Sequence, residues 1–160
     1  SYMSVKSLLM SGFYHYMELY LDFSGLIDVV VGCSGLLGIR IPHNFRRPYL
    51  ALSVSDFWRR WHITLGNFVR KHIYFPLGGS RGSLPATVRN LVICMIFIGL
   101  WHGLEWRFLF WGLMHGTALG LERLTGTWKT SMDLSIIRKS TKWVLTQIFI
   151  TLGWTVFFYR

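Results

Sequence analysis

Acidic side chains are scarce in this sequence: 7 Asp and Glu in 160 residues, against 17 Lys and Arg, leave a formal net charge of +10. Nucleic-acid modules share that excess, but they carry it on a polar, largely soluble surface. Here charged residues of either sign reach only 15% while 52% are hydrophobic, at a mean hydropathy of +0.38. That balance excludes a nucleic-acid partner and makes a membrane protein the first reading. Cysteine is nearly absent as well. Cys33 and Cys94 lie in separate apolar runs without CxxC spacing, which excludes a disulfide framework and a structural zinc site and leaves two buried thiols. His15, His43, His62, His72, His102 and His115 form neither an H-x-x-x-H pair nor HExxH, so neither a metal nor another bound cofactor is expected. A cleavable leader is missing too: Ser1 opens a stretch that carries Lys6 and no small-residue cleavage site. The chain therefore reads as starting mid-protein.

The charge that is present is organised. Arg40, Arg46, Arg47, Arg59, Arg60, Arg70, Lys71, Arg81 and Arg89 are opposed between 40 and 89 by Asp56 alone, a basic belt set between apolar runs. Residues 13–37 are long enough to cross a hydrocarbon core of about 30 Å, and Pro42 and Pro48 are expected to end that membrane helix. His15, Glu18, Asp22 and Gly25 fall on one stripe of it, which must face protein or a hydrated cavity. Ser53 with Asp56 resembles a capping box. It starts a helix over 53–75 whose apolar face is Val54, Phe57, Trp58, Trp61, Leu65, Phe68 and Val69, with Arg59, Arg60, Arg70 and Lys71 pointing elsewhere. Aromatic residues flanked by cations predict a helix lying at the membrane interface. Residues 76–87 are turn-rich and match no phosphate-binding loop, so they read as a plain cytoplasmic loop.

Residues 88–121 exceed one span. Gly99 with Gly103, and Gly112, Gly116 and Gly120, repeat the spacing that lets helix backbones touch. A break near Gly103 then gives a broken or re-entrant pair, with Arg81 and Arg89 on the same, cytoplasmic side as Lys129, Arg138, Lys139 and Lys142. Residues 143–159 are a last membrane helix, with Trp143 and Tyr159 as interface anchors. The fold class is all-α, polytopic, and multi-pass in a cell membrane.

Within this frame His102 stands out, because it sits in IFIGLWHGLEW between Trp101 and Gly103 in the most apolar part of the chain. Neutral imidazole takes and returns a proton near neutral pH, as acyl transfer to a hydroxyl requires. Gly103 leaves room for a substrate to approach, and Glu105, three residues on, is placed to orient the imidazole. The plainer alternative for His102 is a hydrogen bond across helices. For His62 it is an interfacial contact, and His115, between two glycines, reads as an interhelical donor. Arg59 and Arg60 suit an anionic headgroup or a phosphate-bearing donor, or serve topology alone.

The blocks LYLDFSGLIDVVVG, IPHNFRRPYLALSVSDFWRRWHITL, YFPLGGSRG and GLWHGLEWRFLFWGLMHG together resemble the membrane-bound O-acyltransferase superfamily, over about 14–122. The branch they resemble holds the alginate, peptidoglycan and cellulose acetylation proteins and the D-alanine transfer protein of teichoic acids. The resemblance implies a helical bundle around a tunnel through a thinned membrane, with donor and acceptor on opposite sides. His102 is the counterpart of the catalytic histidine of the WHG block and His62 of a second histidine in RRWHI. Trp101, Gly103, Glu105 and Asp22 have supporting places, and Glu105 departs from the small residue expected there. It further implies acetyl-CoA or another acyl thioester as substrate, an extracytoplasmic acetyltransferase partner with polysaccharide-synthesis machinery, and the bacterial inner membrane. D-alanyl transfer to teichoic acid is the nearest alternative. From other classes, an ion-coupled transporter segment would use the His15–Asp22 stripe, although no internal repeat supports it, and a noncatalytic scaffold would dock a partner through the basic helix.

Overall fold

Ser4 caps the first helix by accepting the Ser7 N–H at 3.1 Å in a computed structural model that describes residues 4–127 and 135–159. Lys129 and Arg160 lie outside the described residues. All regular structure among the described residues is helical: α1 (Val5–Leu36), α2 (Val54–Trp58), α3 (Ile63–Val69), α4 (Leu84–His102), α5 (Trp106–Thr125) and α6 (Ile136–Phe158), with a 3₁₀ turn at Pro48–Leu50 and a π turn at Arg70–Tyr74. Lys6–Leu36 and Leu84–His102 are long and apolar enough to cross a membrane. α6 is outside that set, its run diluted by Thr146, Gln147, Thr151 and Thr155.

α1 stops before either proline. Gly38 takes a left-handed conformation (φ 73), the Gly38 N–H donates to Gly35 O, and the Ile39 N–H reaches back to Ser34 O at 2.9 Å. This is a Schellman ending, which glycine adopts without a Cβ clash. On α4, Ser83 is the N-cap and Pro85 lies in the first turn, where a missing N–H costs nothing.

α4 and α5 form an antiparallel hairpin whose contact is made of backbone. A Cβ on Gly112 would stand 2.5 Å from Met95 O, one on Gly116 2.7 Å from Val92 Cα, and one on Gly120 2.7 Å from Val88 Cγ1, so the glycine stripe of α5 steps down α4 in reverse order. α6 closes on the same body through Gly153, beside His115, and on α1 through Gly12, where a Cβ would collide with Thr155.

The expected continuous helix over 53–75 is divided. Ser53 caps α2 as predicted, accepting the Asp56 N–H at 3.0 Å, but residues 59–62 leave the helical ladder. The backbone of the preceding segment competes for their bonds: Arg46 N–H donates to Arg60 O at 2.9 Å and Ile63 N–H to Asn44 O at 3.0 Å. His62 turns left-handed (φ 44, ψ 56) before α3 begins. The resulting strap, 51–74, packs one face against the helices. Val54 and Val69 pack with Cys94, Met95, Ile98, Trp111 and Leu119, while Phe57 and Trp61 pack with Tyr16, Ile150 and Trp154. Phe68, expected on the apolar face, is exposed.

Candidate active site

α4 delivers His102 at its last turn, and the chain then breaks over 103–105 before α5 starts. The imidazole packs edge-on against Trp111 and Phe157, with ring centroids 6.0 and 4.9 Å away, and lies beside Phe108 at 6.1 Å. It remains exposed on its other side and makes no side-chain hydrogen bond among the described residues, so the cross-helix bond that was the plainer alternative is not formed. His62 comes to the same region from the strap. Its ring meets Phe23 of α1 at 5.1 Å and Trp101 at 6.4 Å, and Trp101 in turn meets His102 at 4.9 Å. Trp101 thus neighbours both imidazoles. Burial lowers the His62 pKa below its ordinary 6.5, so the ring is neutral at neutral pH. His62 Nδ1 and Trp111 Nε1 are buried and unpartnered among the described residues.

A cavity of about 350 Å³ opens between the strap and the hairpin. Arg59, Arg70 and Ser55 stand at its polar part, Trp58, Val69 and Tyr74 form its strap wall, and Leu91, Cys94, Met95 and Ile98 line it along α4. Those four residues follow the helix from two turns inside its start to one turn short of His102. A smaller pocket shares Ser55, Arg59 and Tyr74 with it and adds Ser80 and Arg123. The strap wall is pinned from α5 at two points about two helical turns apart. Glu122 accepts the Val54 and Ser55 N–H groups at 2.6 and 2.9 Å, and His115 Nδ1 accepts the Trp58 indole N–H at 3.2 Å. His115 is therefore an interhelical acceptor, not the donor expected. Among the described residues no three His, Cys, Asp or Glu side chains are grouped to hold a metal.

This arrangement has relatives. The family model described as MBOAT, membrane-bound O-acyltransferase family, matches residues 2–159. The chain belongs to the membrane-bound O-acyltransferase family. It is 40% identical over 140 residues to a probable alginate O-acetylase AlgI of Pseudomonas syringae, covering 88% of this chain and 26% of that protein. To a peptidoglycan O-acetyltransferase of Helicobacter pylori it is 41% identical, with the same coverage of 88% and 26%. A more distant relative, a teichoic acid D-alanyltransferase of Bacillus subtilis, is 25% identical, covering 88% of this chain and 38% of that protein. The chain thus spans about a quarter of the length of the acetylating relatives.

Within this O-acyltransferase portion, His102, Trp101 and His62 converge, and the other residues singled out in the sequence have different partners. Glu105 does not orient His102. Its carboxylate accepts from Arg107 Nη2 at 2.9 Å, because residue 105 lies outside α4 and the i, i+3 geometry assumed for it is lost. At Gly103 a Cβ would stand 2.7 Å from the Phe108 ring, so the close approach seen there is one of protein. Asp22 is exposed on α1 without a side-chain hydrogen bond among the described residues, and its neighbour Phe23 is the residue of α1 that meets the His62 ring. On the same stripe His15 pairs with Glu18 at 3.2 Å. Arg59 borders the cavity, 3.6 Å from Asp56, whereas Arg60 is committed to Asp56 at 3.0 Å and to Arg46 O at 3.3 Å. Trp58, Trp111, Glu122 and Asn44 were missed. Only Trp58 had a signal, as part of the predicted apolar face.

Proposed function

We propose that this chain carries the catalytic portion of an integral membrane O-acyltransferase. In this reading an acyl group, acetyl in the first instance, passes from a cytoplasmic thioester donor to hydroxyls of an extracytoplasmic polysaccharide. The observation that carries the reading is the cavity lined along α4 by Leu91, Cys94, Met95 and Ile98, the last of them one turn from His102, with Arg59 and Arg70 also in its lining. It is mostly apolar with two arginines in its lining, which suits a thioester with an anionic head. His102 acts as general base: it takes the proton of the acceptor hydroxyl as that oxygen attacks the thioester carbonyl. The C–S bond breaks as the new C–O bond is kept, and the imidazolium returns the proton to the departing thiolate, leaving ester and free thiol. Transient acylation of His102 itself is the variant of this scheme. The Trp111 ring packs edge-on against His102, and its indole N–H, buried and unpartnered among the described residues, is a candidate donor to the carbonyl oxygen as it gains charge. Neutral His62, beside Trp101, supports the site. No resident cofactor enters the scheme, since the thioester, acetyl-CoA or a related donor, is substrate. The setting is a multi-pass protein of the bacterial inner membrane, with an extracytoplasmic transferase and polysaccharide-synthesis machinery as partners.

The test is transfer of labelled acetyl from acetyl-CoA in membranes carrying the protein at full length, comparing His102→Ala and His62→Ala at matched expression. His102→Ala is expected to lose at least about a hundredfold in rate, and undiminished transfer by that variant sinks the assignment. The Bacillus subtilis relative favours a second reading, D-alanyl transfer. A D-alanyl thioester consumed in place of acetyl-CoA, with the same dependence on His102, decides for it.

A further inference from the structure

His62 has the conformation of a residue under constraint. Left-handed backbone is uncommon for a non-glycine residue and persists where the surroundings enforce it. The enforcing group lies in another segment. Asn44, itself buried, uses Oδ1 to accept both the Thr64 N–H at 3.0 Å and the Thr64 hydroxyl at 2.6 Å, and uses its main-chain oxygen to accept the Ile63 N–H at 3.0 Å. His62 is the N-cap residue of α3, and an N-cap side chain ordinarily accepts an N–H of the first turn. His62 makes no such bond. Asn44 performs the capping from outside, and the His62 Nδ1 that would otherwise be drawn into the cap is left unpartnered.

We infer that Asn44 is a positioning residue for His62: by capping α3 in place of the histidine, it holds the imidazole beside Trp101 with a free nitrogen. The inference rests on the reading of His62 as part of the transfer site. Removing the Asn44 acceptor leaves the Thr64 N–H without its partner and offers His62 Nδ1 as the substitute, which turns the ring away from Trp101. Arg46, two residues on, keeps the segment paired with Arg60, so the change is local.

The test uses the protein at full length in membranes, with Asn44→Leu, which is of similar size but accepts nothing, Asn44→Asp, which retains an acceptor oxygen, and His62→Ala for reference. Acyl transfer is read as kcat and KM separately, and amide exchange by mass spectrometry reads residues 62–66. The expected result for Asn44→Leu is a kcat lower by about tenfold to a hundredfold, an unchanged KM for the thioester and faster exchange at 62–66, with kcat restored by Asn44→Asp. Full kcat in Asn44→Leu while His62→Ala is impaired overturns the inference alone, as do equal losses in the Leu and Asp variants or unchanged exchange. Full activity in both Asn44→Leu and His62→Ala overturns the reading of His62, and the positioning role with it. Should Asn44→Leu fail to accumulate, Asn44→Ala removes the same acceptor with a smaller side chain: a lower kcat at unchanged KM supports the role, and unchanged kcat overturns it.

Discussion

Trp111 separates packing from chemistry at the residue scale. Its ring fills the space between Trp58, His115, Trp154 and Phe157, yet its indole N–H has no partner among the described residues. A buried donor left unpaired costs about 1–3 kcal/mol, so Trp111→Phe, which keeps an aromatic ring, should not lower thermal stability by more than the small loss of volume. If the N–H serves the substrate carbonyl, the same variant loses about a hundredfold in kcat with KM little changed. A stable variant with full kcat assigns Trp111 to packing. How such residues appear in the sequence depends on where their partners lie. His102 was legible because an imidazole inside IFIGLWHGLEW is anomalous on its own. Asn44 was not, because its partner is Thr64, and nothing local marks an asparagine as the cap of a distant helix. Glu105 shows the converse: spacing along a helix placed it on His102, and the helix ends too soon.

Among the elements, the hairpin was readable and the strap was not. Glycines four apart report backbone contact whatever they touch, and the break beside Gly103 follows from a run too long for one span. The strap has an unbroken helical periodicity, and the competing hydrogen bonds come from 44–46, outside any local window. The hairpin is therefore the element to perturb with a clear expectation. Gly116→Val drives a Cβ into the Val92 backbone, which cannot rotate aside, and should destabilise the protein by about 1–3 kcal/mol. The check is loss of detergent-stable protein on heating. Gly25→Val, on α1, where no atom lies within 4 Å of the added Cβ, is the control that should behave as wild type.

For the whole molecule, the outside and the inside are apolar in different ways. Only 6% of the most apolar window of α1 is buried, leaving Phe13, Leu21, Leu26 and Val29 facing outward, whereas the cavity presents its apolar wall inward with a thiol on it. Cys94 lines the cavity and Cys33 is exposed on α1, so the two cysteines, both expected to be buried, report on different spaces. With Cys33→Ser in place, acetyl-CoA should slow maleimide labelling of Cys94 in the full-length protein. Labelling indifferent to donor at saturating concentration places the thioester elsewhere.

Backbone contact between α4 and α5 leaves neither helix free to shift against the other, so one side of the cavity is a fixed rail. Its width is set from the strap, by Trp58, Val69, Tyr74 and Gly66, where a Cβ on Gly66 would meet only the Trp58 carbonyl oxygen at 3.8 Å. If the donor occupies this cavity as proposed, acyl-chain length is a property written into one short, pinned segment. Preference for a two-carbon, a bulkier or an amino-substituted acyl group can change by substitution there while the helices that carry His102 stay as they are.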